Sequence, residues 1–354
     1  MSSVATLRPF DPHAVPHLFA MRPGYANAAA LGLPFYGTLA AMREHLEQWE
    51  AGAVGAADFD PLVGRARAAY AQIVRTCPER VAIGSQASAQ ISLLAQSLPP
   101  GARVVTVAGD FSSVTFPFSV RGDLDVRAVP LEELPEALGP ETAAVAFSLV
   151  QSANGAVADA EAVRSAARAH GVTTLCDLTQ AAGVLPCAAD DWDMTVCHTY
   201  KWLSCPRGLS FLTVSEELCA RMVPAHAGWC AGADPWASTY GPDMELADTA
   251  RRFDVSPAWP AVVGAVPVLE WFASVRPESL WAHAAGLGDA LCEGLGIAPR
   301  GQAIVSWPDP DGADLAALAR AGVVASGRAG GVRTSFHVWS TDEDVDMILR
   351  ALDR

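Results

Sequence analysis

Lys201 is the single lysine among the 24 basic side chains of this 354-residue sequence; every other one is arginine. On a solvated surface either cation serves. Guanidinium stays charged, however, whereas a lysine amine can be tuned to attack a carbonyl. The position where lysine survives is therefore a candidate for covalent catalysis, against the alternative of one surface lysine left by chance. Two strand-like runs lead into other reactive residues. Thr174-Leu175-Cys176 runs into Asp177, with Gln180 one helical turn further on, and Met194-Thr195-Val196-Cys197 runs into His198, Tyr200 and Lys201. Alone, Asp177 reads equally well as a helix N-cap, and His198 and Tyr200 as structural residues. A strand-end carboxylate, a glutamine three residues on and the only lysine after the next strand are hard to explain together as packing.

These residues need elements to hold them. Between Pro78 and Val214 short β-rich runs alternate with helical patterns. The spacing predicts strands at Val81–Ile83, Arg103–Val107, Asp125–Val129, Ala143–Leu149, Thr173–Cys176, Met194–Cys197 and Leu209–Val214. Helices are expected at Ala89–Ser97 and Asp159–His170, the second stopped by Gly171. Apolar runs without alternation are the mark of parallel strands covered on both faces, so the alternation predicts a doubly wound α/β sheet with its chemistry at the strands' carboxyl ends. After Ser256 helical patterns dominate (Ala261–Ser274, Pro277–Leu295, Ala313–Ala321, Asp342–Leu352), with strand-like pieces at Ala303–Trp307 and Gly331–Phe336. The expected division is an N-terminal segment, 1–24, packing with the small domain, a large domain, 25–255, and a small α+β domain, 256–354.

A strand-end carboxylate can hold a proton on the ring nitrogen of pyridoxal phosphate (PLP), and a lysine amine can reach its aldehyde. The pattern Asp177-x-x-Gln180-x-x-Gly183, then His198-x-Tyr200-Lys201-Trp202-Leu203 and Pro206-Arg207-Gly208, resembles the class V aminotransferase family of fold-type-I PLP enzymes. That family includes cysteine desulfurases, kynureninases and isopenicillin-N-epimerase-like proteins. The resemblance runs from Tyr25-Ala26-Asn27 to Arg333-Thr334-Ser335-Phe336-His337. It implies a mostly parallel seven-stranded sheet with flanking helices, plus a smaller C-terminal α+β domain. It also makes Lys201 the Schiff-base lysine, Asp177 the pyridinium partner, Gln180 a contact to the ring hydroxyl, and His198 and Tyr200 phosphate ligands.

Further positions follow from the same resemblance. Ala87 and Ser88 open a predicted helix, where backbone amides favour a phosphate, although a plain turn would look the same. Phe111 matches the position that stacks a ring over the cofactor; desulfurases carry histidine there, kynureninases phenylalanine. Ser152 or Asn154 is expected at the ring hydroxyl or substrate, and Asn27 at the substrate. Arg333 matches the arginine that forks onto a substrate α-carboxylate, against the alternative of a surface salt bridge. Trp229 and Ser256 lie in segments resembling those a partner subunit contributes, which implies a homodimer with shared active sites.

Composition narrows the rest. A formal net charge of −15 without any basic cluster argues against nucleic-acid binding. No apolar run is long enough to span a bilayer and no signal-peptide layout precedes Pro12, so a cytoplasmic location is expected. The eight cysteines are scattered without zinc-ligand spacing and read as reduced thiols; no metal is expected. None follows Cys292, so the loop before Arg333 lacks the thiol that persulfide transfer needs. The expected activity is a lyase-type reaction on an amino acid, with aminotransferase or epimerase as alternatives. A PLP-fold binding protein without turnover is the reading from another class.

Overall fold

In a computed structural model the described residues run from Leu7 to Arg354; residues 1–6 of the expected N-terminal segment lie outside them. Helices α1 (Tyr36–Glu50) and α2 (Asp60–Ile73) precede the first strand, β1 (Val81–Gly84). Then come α3 (Ala87–Ser97), β2 (Arg103–Val107), α4 (Ser112–Ser119), β3 (Asp125–Val129) and β4 (Thr142–Ser148). After α5 (Ala160–His170), strands β5 (Thr173–Asp177), β6 (Met194–His198) and β7 (Ser210–Val214) complete the main sheet. Local signals set these boundaries. Asp159 accepts the Ala162 N–H at 3.0 Å to start α5, and Gly171, with φ at +66°, ends it.

The sheet order is β1-β7-β6-β5-β4-β2-β3. Strands β3, β2, β4, β5 and β6 are parallel, and β7 runs antiparallel to both β6 and β1. Strands β1, β2, β4, β5 and β6 therefore all end at one edge, and β7 begins there. The register sets Gly84 opposite Ser210, Ser210 opposite His198, and Ser148 opposite Asp177 along that edge. Strands β4 to β7 are buried along almost their whole length, as sheets covered on both faces require, while edge strand β3 is partly exposed.

Helix α6 (Glu216–Arg221) leads out of this sheet, and α7 (Trp259–Ala273) returns across α1 and α2. Thr38 Oγ1 donates to the Gly264 carbonyl at 2.6 Å, and Phe19 meets Trp271 edge to face at 5.0 Å. The apolar cluster holding Phe147 and Trp192 continues through Val262, Leu269 and Phe272. Helix α7 thus shares the main core, although it follows Ser256 in sequence. Its near-continuous apolar composition fits a helix buried all round.

The smaller unit follows: α8 (Pro277–Leu295), β8 (Ile304–Pro308), α9 (Ala313–Arg320), β9 (Ser326–Arg328), β10 (Gly331–Ser335) and α10 (Asp342–Ala351). Its antiparallel sheet has the order β8-β10-β9 and its own cluster, including Leu287, Leu291, Trp307, Val332, Phe336 and Ile348. Residues 24–27 tie into it, while Val15 and Phe19 of the segment before them join the main core. Tyr25 bridges to Val324, Asn27 to Ser335, and the Gly24 N–H donates to Asp344 Oδ1 at 2.6 Å. Among the described residues no helix is long and apolar enough to cross a membrane.

Candidate active site

The carboxyl edge of the main sheet brings three of the expected residues together. Asp177 ends β5, His198 ends the adjacent β6, and Lys201 lies in the turn that follows. That turn is pinned by its neighbours. The Gly32 N–H donates to the Tyr200 carbonyl at 3.0 Å, and a Cβ at Gly32 would collide with the Lys201 carbonyl oxygen. Only glycine fits so close to that backbone.

Thr179 joins the two strand ends, its N–H donating to Asp177 Oδ1 at 2.7 Å and its Oγ1 accepting the His198 N–H at 2.9 Å. Asp177 is buried, and burial lifts its carboxyl to about 6 in spite of hydrogen bonds from Thr179 and the charge of Lys201. Lys201 is 6% exposed, and burial lowers its amine to about 8, with Asp177 opposing the shift and Arg333 and Arg328 adding to it. Both groups move towards their neutral forms, so desolvation outweighs their mutual attraction. The Lys201 Nζ lies over the Phe111 ring, 5.1 Å from its centroid, and 5.8 Å from that of Tyr200.

His198 faces the start of α3. Its Nε2 lies 3.2 Å from Gln86 Oε1, while its buried Nδ1 has no partner among the described residues. Burial, then the charges of Lys201 and Arg207, push the ring down to about 4. Tyr200 stands edge-on to His198 at 4.7 Å, and the Arg207 guanidinium lies 4.9 Å from the centre of the Tyr200 ring. Gln86 occupies the N-cap of α3 but makes no side-chain cap. The first amides of that helix, at Ala87 and Ser88, have no acceptor among the described residues.

Arg333 comes from the small unit, on β10. It is 2% exposed and its Nη1 donates to the Ser152 carbonyl, yet its Nε and Nη2 are buried with no partner among the described residues. Burial and the nearby Arg328 lower it to about 10. A buried guanidinium with two nitrogens unsatisfied is costly. Among the described residues it makes no ion pair, and its burial leaves no room for the surface salt bridge weighed for it.

Other expected positions have different duties within the chain. The Gln180 amide is engaged at both ends: Nε2 donates to the Ala29 carbonyl at 3.1 Å, and Oε1 accepts from the buried Trp202 Nε1 at 2.6 Å. That leaves one N–H for a ring hydroxyl. Asn154 is exposed and its Oδ1 accepts the Ala156 N–H at 2.9 Å, while Ser152 presents its carbonyl to Arg333. Asn27 Oδ1 accepts from Ser326 Oγ at 2.7 Å. Trp229 packs on Trp236 at 5.1 Å and lines a cavity of about 270 Å³ with Arg67, Ile83 and Asp254. Ser256 is exposed, just past Val255, whose N–H donates to the Ile83 carbonyl at 3.2 Å. Sequence reasoning passed over Thr179 and Gln86. The Asp177-x-Thr179 spacing, that of an Asx turn, was a usable signal for the first.

The family described as "Aminotransferase class-V" matches residues 39–323. Isopenicillin N epimerase of Streptomyces clavuligerus is 26% identical, over 82% of this chain and 84% of that protein. Kynureninase of Deinococcus radiodurans is 28% identical, over 59% of this chain and 53% of that protein. Among solved structures, the cysteine desulfurase CsdA of Escherichia coli superposes with a TM-score of 0.83 at 19% identity, covering 98% of each chain. The cystine C–S lyase C-DES, in complex with cysteine persulfide, gives 0.84 at 19% identity, over 94% of this chain and 98% of that one. At such identities the structural likeness speaks to the fold alone.

Proposed function

This chain belongs to the class-V aminotransferase family of PLP enzymes, and from that premise we propose that it is a lyase acting on an α-amino acid, with Lys201 as both cofactor anchor and base. The observation that carries the reading is Arg333, whose two unsatisfied, buried guanidinium nitrogens sit close enough to Lys201 for the charges to interact. A carboxylate would satisfy both nitrogens as a two-pronged acceptor.

The residues of the sheet edge fit PLP. They offer a buried amine lying over aromatic rings, a buried carboxylate with no ion-pair partner among the described residues, an orphaned imidazole nitrogen and uncapped helix amides. When bound, PLP supplies an electron sink conjugated to the substrate nitrogen. Lys201 holds the group, Asp177 keeps a proton on its ring nitrogen, and Ala87, Ser88, His198 and Tyr200 take its phosphate. The depressed basicity of Lys201 suits it to accept the α-proton at neutral pH. Arg333 fixes the carboxylate, so that the bond to be broken at Cα stays within reach of Nζ.

Cleavage beyond Cα is favoured over epimerisation by Phe111. The nearer of the two rings beside Nζ, that of Phe111, has no proton to exchange, and Tyr200 is assigned to the phosphate. Nearby Asp110 is occupied by the N–H and Oγ of Ser148, at 2.7 and 2.6 Å. The reading extends to a homodimer in the cytoplasm, with the Trp229 and Ser256 segments reaching the neighbour's site. Trp236, packed on Trp229 and 46% exposed, and Tyr240, 88% exposed four residues further along the chain, support that assignment. The test is a panel of L-amino acids given to purified holoenzyme, with cofactor absorbance and products followed together. The reading expects a keto acid and ammonia released in many turnovers. A D-amino acid, or amino-group transfer to a second keto acid, would replace it by epimerase or aminotransferase, and absence of any spectral response would leave a non-catalytic protein.

A further inference from the structure

Strands β9 and β10 are joined by the two-residue turn Ala329-Gly330, with φ at +48° and +78°. Positive φ at both central residues is the tight hairpin geometry that matches strand twist, and alanine adopts it only at some cost. The turn fixes the register, with Arg328 opposite Gly331 and Ser326 opposite Arg333. Residues directly opposite share a face, and side chains alternate along a strand. Ser326, Arg328 and Arg333 therefore stand on one face, and Gly331 puts no side chain between the two arginines.

The pair is graded in depth. Arg333 is buried and Arg328 exposed. Among the described residues eight arginines of this acidic chain pair with carboxylates, as Arg65 does with Glu270 and Arg121 with Asp123. Arg328 has no ion pair among the described residues; its Nη1 donates to the neighbouring Gly327 carbonyl at 2.7 Å. Its charge is felt by both Arg333 and Lys201, lowering each. These three like charges share one nearby carboxylate, Asp177, and an anionic ligand with two acceptor groups offsets the repulsion that remains.

We propose that Arg328 is a second anion subsite, and that the substrate is an α-amino acid whose side chain ends in a carboxylate, gripped by Arg333 at the α-carboxylate and by Arg328 at the far end. The assignment rests on the amino-acid reading above, but the subsite can be probed without turnover. Calorimetry on holoenzyme would compare succinate and glutarate with propionate, unreactive anions of two carboxylates and one. Wild type should prefer the dicarboxylates, and the preference should weaken with added salt. Arg328→Gln should reduce the dicarboxylate-to-monocarboxylate affinity ratio about tenfold, the lower end for a hydrogen bond to a charged group at an exposed position. Arg328→Lys should recover part of the ratio. Arg320→Gln, which removes the same charge on α9, should leave it intact. Equal affinities in wild type, or an unchanged ratio in Arg328→Gln, would overturn the subsite. The two readings fail separately. Arg328-dependent binding without turnover of any amino acid removes the proposed reaction, whereas turnover without preference for acidic side chains removes the subsite.

Discussion

Two buried arginines separate structure from function in this fold. Arg67, on α2, donates Nη2 to Asp254 Oδ2 at 2.6 Å and Nη1 to the Val81 carbonyl, and Asp254 also accepts the Ile83 N–H at 2.7 Å. Every charge there meets a protein partner, and the result is a strut between α2, β1 and the segment before α7. Arg333 is more deeply buried, yet among the described residues only its Nη1 is bonded. Asp254 and Asp177 differ in the same way, the first bonded to a guanidinium and the second, among the described residues, only to Thr179. A satisfied buried charge holds the fold together; an unsatisfied one is held by the fold for something else.

Substitutions can break or sharpen that contrast. The largest effect belongs to Lys201→Met, which should reduce turnover by about 10⁴-fold, the upper end for losing a positioned base. The apoprotein should remain at least as stable as wild type, since a buried amine lowered to about 8 carries a desolvation cost at neutral pH. Turnover and thermal unfolding of the same preparation check both halves. Next, Arg67→Met leaves Asp254 buried without its cation and should cost about 3–5 kcal/mol in denaturant unfolding. Arg333→Met should cost far less stability while raising the apparent KM at least tenfold, the scale of a lost charged hydrogen bond. Equal destabilisation by the two would erase the distinction.

Asp177→Asn comes third, with turnover falling about 10²-fold, as for removal of one preorganised electrostatic group, and PLP content retained. The smallest effect concerns pH. The folded His198 titrates near 4 against 6.5 for an ordinary imidazole. Because the unfolded chain takes up its proton first, apoprotein stability should hold above about 6.5 and fall as pH drops towards 4. His198→Gln should flatten that acid limb by about 1–3 kcal/mol, read from unfolding midpoints across the range.

Much of this was legible in the sequence because residues fit for chemistry stand directly after apolar strands. Strands β2 and β3 fall at their expected limits, Arg103–Val107 and Asp125–Val129, and Lys201 is conspicuous in a chain otherwise basic through arginine. What stayed hidden depends on partners distant along the chain. Gln86 is 112 residues from His198, and the carbonyl of Ser152 is 181 from Arg333. No local pattern announces that Gln180 is clasped between Ala29 and Trp202, or that β7 turns antiparallel beside β6. Helices α1 and α2 carry weak local signals and form because α7 covers them. Arg328 lies in no motif; only the hairpin register reveals its place.

The central claim is that the sheet edge is built to hold PLP on Lys201. Borohydride reduction of yellow holoenzyme followed by peptide mapping tests it most directly, since the chain has no other lysine and only the N-terminal amine could compete. The account predicts the cofactor's mass on the peptide containing Lys201, in stoichiometric yield. Recovery of that peptide unlabelled from fully reduced, coloured protein would contradict it.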